Sequence, residues 1–196
     1  MMTATVGLWE HFKKLADFNG REDRGSFWPY VALVFLVVMV VGMVIFVPMM
    51  ANTMQAMQDF AAQHPDQVTV SSGPGHYSMS IQGNPPGIMP PTSSIAIYLG
   101  ATFGLSILLY AAAVARRLHD RGISGWWGLM PLPFILYSSI QMPRVFGSFG
   151  NDGQPGMTLF FSIFFSNMLY IVTLIVLIVF LAGASQPTPN RHDAGD

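Results

Sequence analysis

Three stretches of this chain carry no charged residue over more than twenty positions: 27–50, 95–115 and 157–184. A helix rises about 1.5 Å per residue, so the first stretch reaches roughly 36 Å. That is enough to cross a ~30 Å hydrocarbon core with some tilt. One such run can be a buried helix of a soluble domain. Three within 196 residues favour lipid-embedded spans. Charged residues make up only 10% of the chain, against about 25% in soluble domains, which leaves little with which to clothe a water-facing surface. A fourth apolar segment, 126–140, contains Pro131 and Pro133. It would reach only about 22 Å as a helix, so it reads as a short, proline-kinked or re-entrant segment. The expected fold is an all-α membrane protein, a small bundle of four hydrophobic helices forming one domain over 1–184, with 185–196 as a polar tail.

The distribution of lysine and arginine orients the spans. Lys13, Lys14, Arg21 and Arg24 precede the first span, Arg116, Arg117 and Arg121 follow the second, and 51–93 has none. Cytoplasmic loops collect such residues, so the N-terminus and the loop after 115 are expected in the cytoplasm and 51–93 outside. If 126–140 spans, Arg144 is outside and Arg191 inside. If it is re-entrant, they exchange sides.

The N-terminal region lacks the compact apolar core of a cleaved leader. Leu8, Trp9, Phe12, Leu15 and Ala16 recur at helical spacing, apart from Glu10, Lys13, Lys14 and Asp17. This predicts an amphipathic interfacial helix over 5–18, stopped at Asn19-Gly20. Asp23 is a candidate cap for the first span. In 51–93, the beginning can extend the first helix. Val68 and Val70, then Tyr77, Met79 and Ile81, alternate with polar residues around Ser71-Ser72-Gly73-Pro74-Gly75. A small hairpin over 67–83 and an unstructured linker are both compatible with that pattern.

The chemistry is concentrated in Arg116-Arg117-Leu118-His119-Asp120. On a helix, Arg116 and Arg117 can each meet Asp120, and Arg116 can meet His119. Such a cluster can hold anionic lipid headgroups, lock the helix end to its neighbours, or use His119 and Asp120 as a general acid–base pair. Simple positive-inside anchoring accounts for the arginines but not for the aspartate among them. A structural or headgroup-binding network is favoured over catalysis, because no nucleophile or metal accompanies the pair. Trp126 and Trp127 suit the membrane interface, or a stack on a nearby arginine. Gly100 and Gly104, with Ala101, suggest a close helix–helix contact in the second span.

Other classes are disfavoured. There is no cysteine, no pair of histidines at metal-binding spacing and no nucleotide-binding fingerprint, so no metal or cofactor is expected. A net charge of −1 argues against nucleic acid. The spans carry no ionisable acid or base of the kind that ion-coupled transporters place there.

The segments FNGREDRGSFW (18–28), RRLHDRGISGWW (116–127) and PNR (189–191) resemble three signatures of the domain-of-unknown-function 805 family. The matching positions include Arg21, Arg24, Arg116, Arg117, His119, Asp120, Trp126, Trp127, Asn190 and Arg191. The resemblance implies a small bacterial inner (plasma) membrane protein, multi-pass, with no assigned biochemical activity. It departs from the family at Ser26, where an acidic residue is usual. After Asn190-Arg191, His192-Asp193 replaces an aromatic-glycine pair. The stretch between Trp127 and Asn190 is also longer than usual, as though an insertion had turned one C-terminal span into two. The two arginine-bearing signatures flank spans at one membrane level. They should therefore meet, with Asp120 as counter-charge for Arg21 or Arg24 and a tryptophan covering it. The expected partners are the bilayer, an anionic phospholipid, and a protein partner or a second copy of the chain.

Overall fold

The computed structural model describes residues 8–82, 89–149 and 156–187. Asn190, Arg191 and positions 5–7 of the expected interfacial helix lie outside the described residues. Five helices and one hairpin follow in order: α1 (Leu8–Lys13), α2 (Arg24–Gln63), β1 (Val68–Gly73), β2 (His76–Ile81), α3 (Thr92–Asp120), α4 (Leu132–Phe149) and α5 (Met157–Ala182). A 3₁₀ turn, Gly125–Leu129, joins α3 to α4. Three of the helices, α2, α3 and α5, are long and apolar enough to cross a membrane.

Helix α2 begins where expected. The Asp23 carboxylate accepts the Ser26 N–H at 2.8 Å and caps the first turn. It then runs 40 residues, about 60 Å, well beyond the predicted 27–50, and keeps both Pro29 and Pro48 in its interior. The chain returns through the hairpin, whose register pairs Val68 with Ile81 and Gly73 with His76. Pro74 and Gly75 form its tip, and Gly75 takes the positive φ of +79° that the second turn residue requires.

Helix α3 ends in a left-handed cap. Gly122 adopts φ +69°, its N–H donates to His119 O, and the N–H of Ile123 donates to Leu118 O. Ile123 is thereby folded back onto the core. The third apolar segment differs from its predicted bounds. It is divided at Pro131: 126–129 lie in the 3₁₀ turn and the helix starts at Leu132, with Pro133 in its first turn, where no intrahelical N–H is lost. Helix α4 then continues past 140 to Phe149, through Pro143, over about 27 Å. It runs antiparallel to α3. Gly128, before its start, lies against Val114, and Gly147, near its end, lies against Thr92 at the start of α3. Helix α5 returns beside it, with the Ser166 hydroxyl donating to Phe134 O at 2.9 Å.

The core sits at one end of this bundle. Phe27, Tyr30 and Val34 of α2 pack with Leu109, Ala113 and Leu118 of α3 and with Leu177 and Leu181 of α5. Two tyrosines cross-link α2 and α3 reciprocally: Tyr30 Oη donates to Leu109 O at 2.7 Å, and Tyr110 Oη to Val31 O at 3.1 Å. The expected contact through Gly100 and Gly104 is not made, because both face open space. Close approach falls instead at Gly42 of α2, against Tyr98 and Thr102.

The N-terminal helix is shorter than predicted. It ends at Lys13 rather than at Asn19-Gly20, and it docks on the bundle instead of lying apart. His11 is buried and stacks on Tyr30 with ring centroids 4.4 Å apart, while Phe12 meets the same ring edge-on.

Candidate functional site

The last carbonyls of a helix have no partner within it, and its C-terminus carries partial negative charge. Helix α5 meets both demands with arginines from elsewhere in the chain. Arg117 Nε donates to Leu181 O at 2.9 Å and its Nη2 to Gly183 O at 2.6 Å. Arg24 reaches Ala182 O at 3.2 Å, Arg121 reaches Ala184 O at 2.9 Å, and Arg21 reaches Gln186 O. The tail after α5 therefore lies across the end of α3. Its Gln186 N–H donates to Asp120 O at 3.0 Å. The first residues of the predicted polar tail thus belong to the site, because their backbone supplies acceptors that the arginines need. Two glycines let the tail pass so closely. A Cβ on Gly183 would collide with the Arg121 guanidinium, and one on Gly122 with the Gln186 amide.

Two carboxylates counter these charges. Asp120 pairs with Arg21 at 3.0 Å and with Arg117 one turn before it. Arg117 is fully buried and also reaches Glu22 O and Ser185 Oγ, both at 3.3 Å. A buried guanidinium is tolerable only with its donors occupied in this way. Arg116 turns to the other side. Its ion-pair partner is Glu22, at 3.0 Å, and not Asp120, which helical spacing also allowed. The same guanidinium donates to the Lys14 and Asp17 carbonyls and holds the segment after α1 in place.

Beside Arg116 lies a second buried group. His11 Nδ1 faces Glu22 Oε1 at 3.4 Å, and neither atom makes a hydrogen bond. Burial pushes the Glu22 carboxyl up to about 7, against the opposing pull of Arg116. Burial, and then the charges of Arg116 and Lys14, push the His11 imidazole below its ordinary value. Neither residue stood out in the sequence. Only the acidic position next to the Asp23 cap marked Glu22, and nothing marked His11.

The tryptophans do not cover Asp120. Trp126 is 79% exposed, and Trp127 meets Phe180 of α5 edge-on at 5.8 Å. Asp120 is shielded by arginines and the tail instead. His119 lines a crevice of ≈ 900 Å³ bounded by α2, α3, α4 and α5. His119 and Asp120, adjacent in sequence, thus face different surroundings. Among the described residues no cluster of histidine and acidic side chains could hold a metal ion.

Residues 15–194, nearly the whole chain, match the DUF805 family, described as proteins of unknown function. No curated protein and no solved structure matches the chain.

Proposed function

The chain belongs to the DUF805 family, and from that premise we propose a non-enzymatic, multi-pass protein of the bacterial inner membrane. The charged end of its bundle lies in the cytoplasm. There a polar network fastens the N-terminal segment, α3 and α5 together and presents surplus positive charge to anionic lipid headgroups. Helices α2, α3 and α5 cross the bilayer, and α4, antiparallel to both its neighbours, completes a fourth pass.

One observation carries this reading. Five arginines (Arg21, Arg24, Arg116, Arg117 and Arg121) converge on α1, α3 and α5. Among the described residues their ion pairs are with two carboxylates, Glu22 and Asp120. Several of their other donors go to backbone carbonyls, which neutralise no charge. An excess of arginine at one end of apolar helices is what positive-inside orientation and phosphate binding both require. Catalysis by His119 with Asp120 is disfavoured, since Asp120 is committed to two guanidiniums and His119 faces the crevice.

Replacing Asp120 with alanine tests the proposal. Arg21 and Arg117 would lose the acceptor that holds them inward. Breaking one side of a buried pair costs about 3–5 kcal/mol. The melting temperature in detergent should fall, and the anionic phospholipid that co-purifies should change in amount. If neither moves, the network neither fastens the bundle nor governs lipid contact.

A further inference from the structure

The crevice beside His119 is unused by the network, and its shape is specific. Along α3 it extends from His119 down to Phe103, about 24 Å at 1.5 Å per residue. One leaflet, with its headgroup layer, is roughly half of the 40–45 Å bilayer, so about 21 Å. The length of the crevice therefore matches a single leaflet, and one of its ends lies at the charged end of the bundle.

Its polarity is graded in the same direction. His119, Ser124 and Trp126 lie at the mouth, and Phe35, Phe103 and Leu136 lie along the deep part. Two polar side chains on its walls are already engaged. Ser106 donates to Thr102 O at 2.7 Å, and Tyr110 to Val31 O at 3.1 Å. No carboxylate lines the crevice among the described residues. Charge sits at the rim instead. Arg24 is exposed and lies one helical turn above Trp28, which lines the α2 wall. Its guanidinium reaches Ala182 O, beside Leu181 on the α5 wall. Arg24 and His119 thus both lie at the charged end of the apolar crevice, Arg24 outside its lining and His119 within it.

We propose that this crevice is a site for one anionic phospholipid. An acyl chain lies along the α3 wall between Ala115 and Phe103, and the phosphate sits between Arg24 and His119. Apolar length selects a lipid over a soluble phosphate, and the cationic rim selects an anionic headgroup over a zwitterionic one. The inference rests on the membrane reading above and gives it a defined ligand.

The test uses the full chain in vesicles of equal phosphatidylglycerol and phosphatidylcholine, with a trace of phosphatidylglycerol photoactivatable on its acyl chain. After irradiation the label should map to α3 between 103 and 115 and to the start of α4, above the level on the open face of α2 at Val40, Val44 and Val47. Ala111→Trp, which fills the crevice, should abolish that enrichment. Arg24→Gln should keep the label but lower the preference for phosphatidylglycerol about tenfold, the factor of one charge-assisted hydrogen bond. Free glycerol phosphate should not compete. An even label around all outer faces, enrichment that survives Ala111→Trp, or displacement by glycerol phosphate would each overturn the site. Should Ala111→Trp lower helix content, Ala111→Leu is read in the same way. Asp120→Ala leaves the crevice walls intact, so a failure of the network reading and a failure of this one give different patterns.

Discussion

The charged end and the far end of this bundle are built from the same helices and held by different means. At the charged end α2, α3 and α5 are joined by ion pairs, by arginines on helix-end carbonyls and by the tyrosine cross-links, around a core that includes Phe27, Leu118 and Leu181. At the far end α2 buries nothing beyond Gly42. Val40, Met43, Val44 and Val47 are exposed, and a cavity of ≈ 390 Å³ separates Ile45 and Met49 from Ser94 and Ile97. For helices that sit in lipid, the contrast has a physical cause. Hydrocarbon solvates leucine as well as a neighbouring helix does, so apolar faces alone give little association. Polar cross-links and close backbone approach supply it, and this chain concentrates its ion pairs and arginine caps at one end, while α2 approaches α3 closely at Gly42, toward the other.

The largest expected effect comes from removing the residue on which that end converges. Arg117→Ala would leave Asp120 partly unpaired and strip the donors from Leu181 O and Gly183 O. A loss of about 3–5 kcal/mol corresponds to a melting temperature lower by about 10 °C or more in a chain of this size. Arg117→Lys should restore little of it, since an ammonium cannot reproduce the fork. At the far end, Arg144 is exposed and among the described residues bonds to Gln141 one turn away, so Arg144→Ala should stay within about 0.5 kcal/mol. Equal melting shifts for Arg117→Ala and Arg144→Ala would erase the distinction between the ends.

A smaller effect concerns glycines. A Cβ at Gly128 would stand 2.8 Å from Val114 Cγ1, so the turn into α4 packs on α3 through that glycine. Gly128→Leu should destabilise by about 1–3 kcal/mol through overpacking. Gly104 faces open space, and Gly104→Ala should gain up to about 1 kcal/mol from helix propensity. Thermal scans of the two variants should move in opposite directions. A loss at Gly104 would point to a contact there that the single chain does not contain, such as one with a second copy.

These same glycines show how far the fold was legible. The three long apolar runs were legible because a bilayer admits few alternatives to uncharged helices of that length. The Asp23 cap and the pairing of Arg117 with Asp120 were legible because both are local, set by spacings of three residues. The Gly100/Gly104 spacing misled because a small-residue pattern says that a helix can be approached closely, not which helix does so. The partner of Arg116 lies 94 positions away at Glu22, and nothing in local spacing favours it over Asp120. The acceptors at the end of α5 were invisible for a stronger reason. They are backbone carbonyls, which every residue has, and only the three-dimensional arrest of α5 beside α3 makes those of 181–186 the ones that need arginine.

The smallest net effect in the native chain, and the sharpest on the charged end, is its response to pH, because two opposing groups set it. Glu22 titrates near 7 in the folded chain against an ordinary value of 4.5. Between those values the folded state holds a proton that the unfolded state has released. Its stabilising contribution is therefore complete below the ordinary value and is lost as pH rises through about 7. His11 acts in the opposite sense. Its folded pKa lies below the ordinary 6.5, so acidification protonates the unfolded chain first and stability falls with pH. The two contributions oppose each other in the native protein, which should show a shallow melting profile between pH 5 and 7. Glu22→Gln removes one and keeps the other. Relative to the native chain, its melting temperature should improve steadily from pH 5 to pH 8. A far-end variant such as Gly104→Ala should run parallel to the native curve throughout. Parallel curves for Glu22→Gln as well would mean that the buried carboxyl does not set the pH response. The Arg116 contact would then hold Glu22 ionised across the range, and the charged end would behave as a fixed clamp.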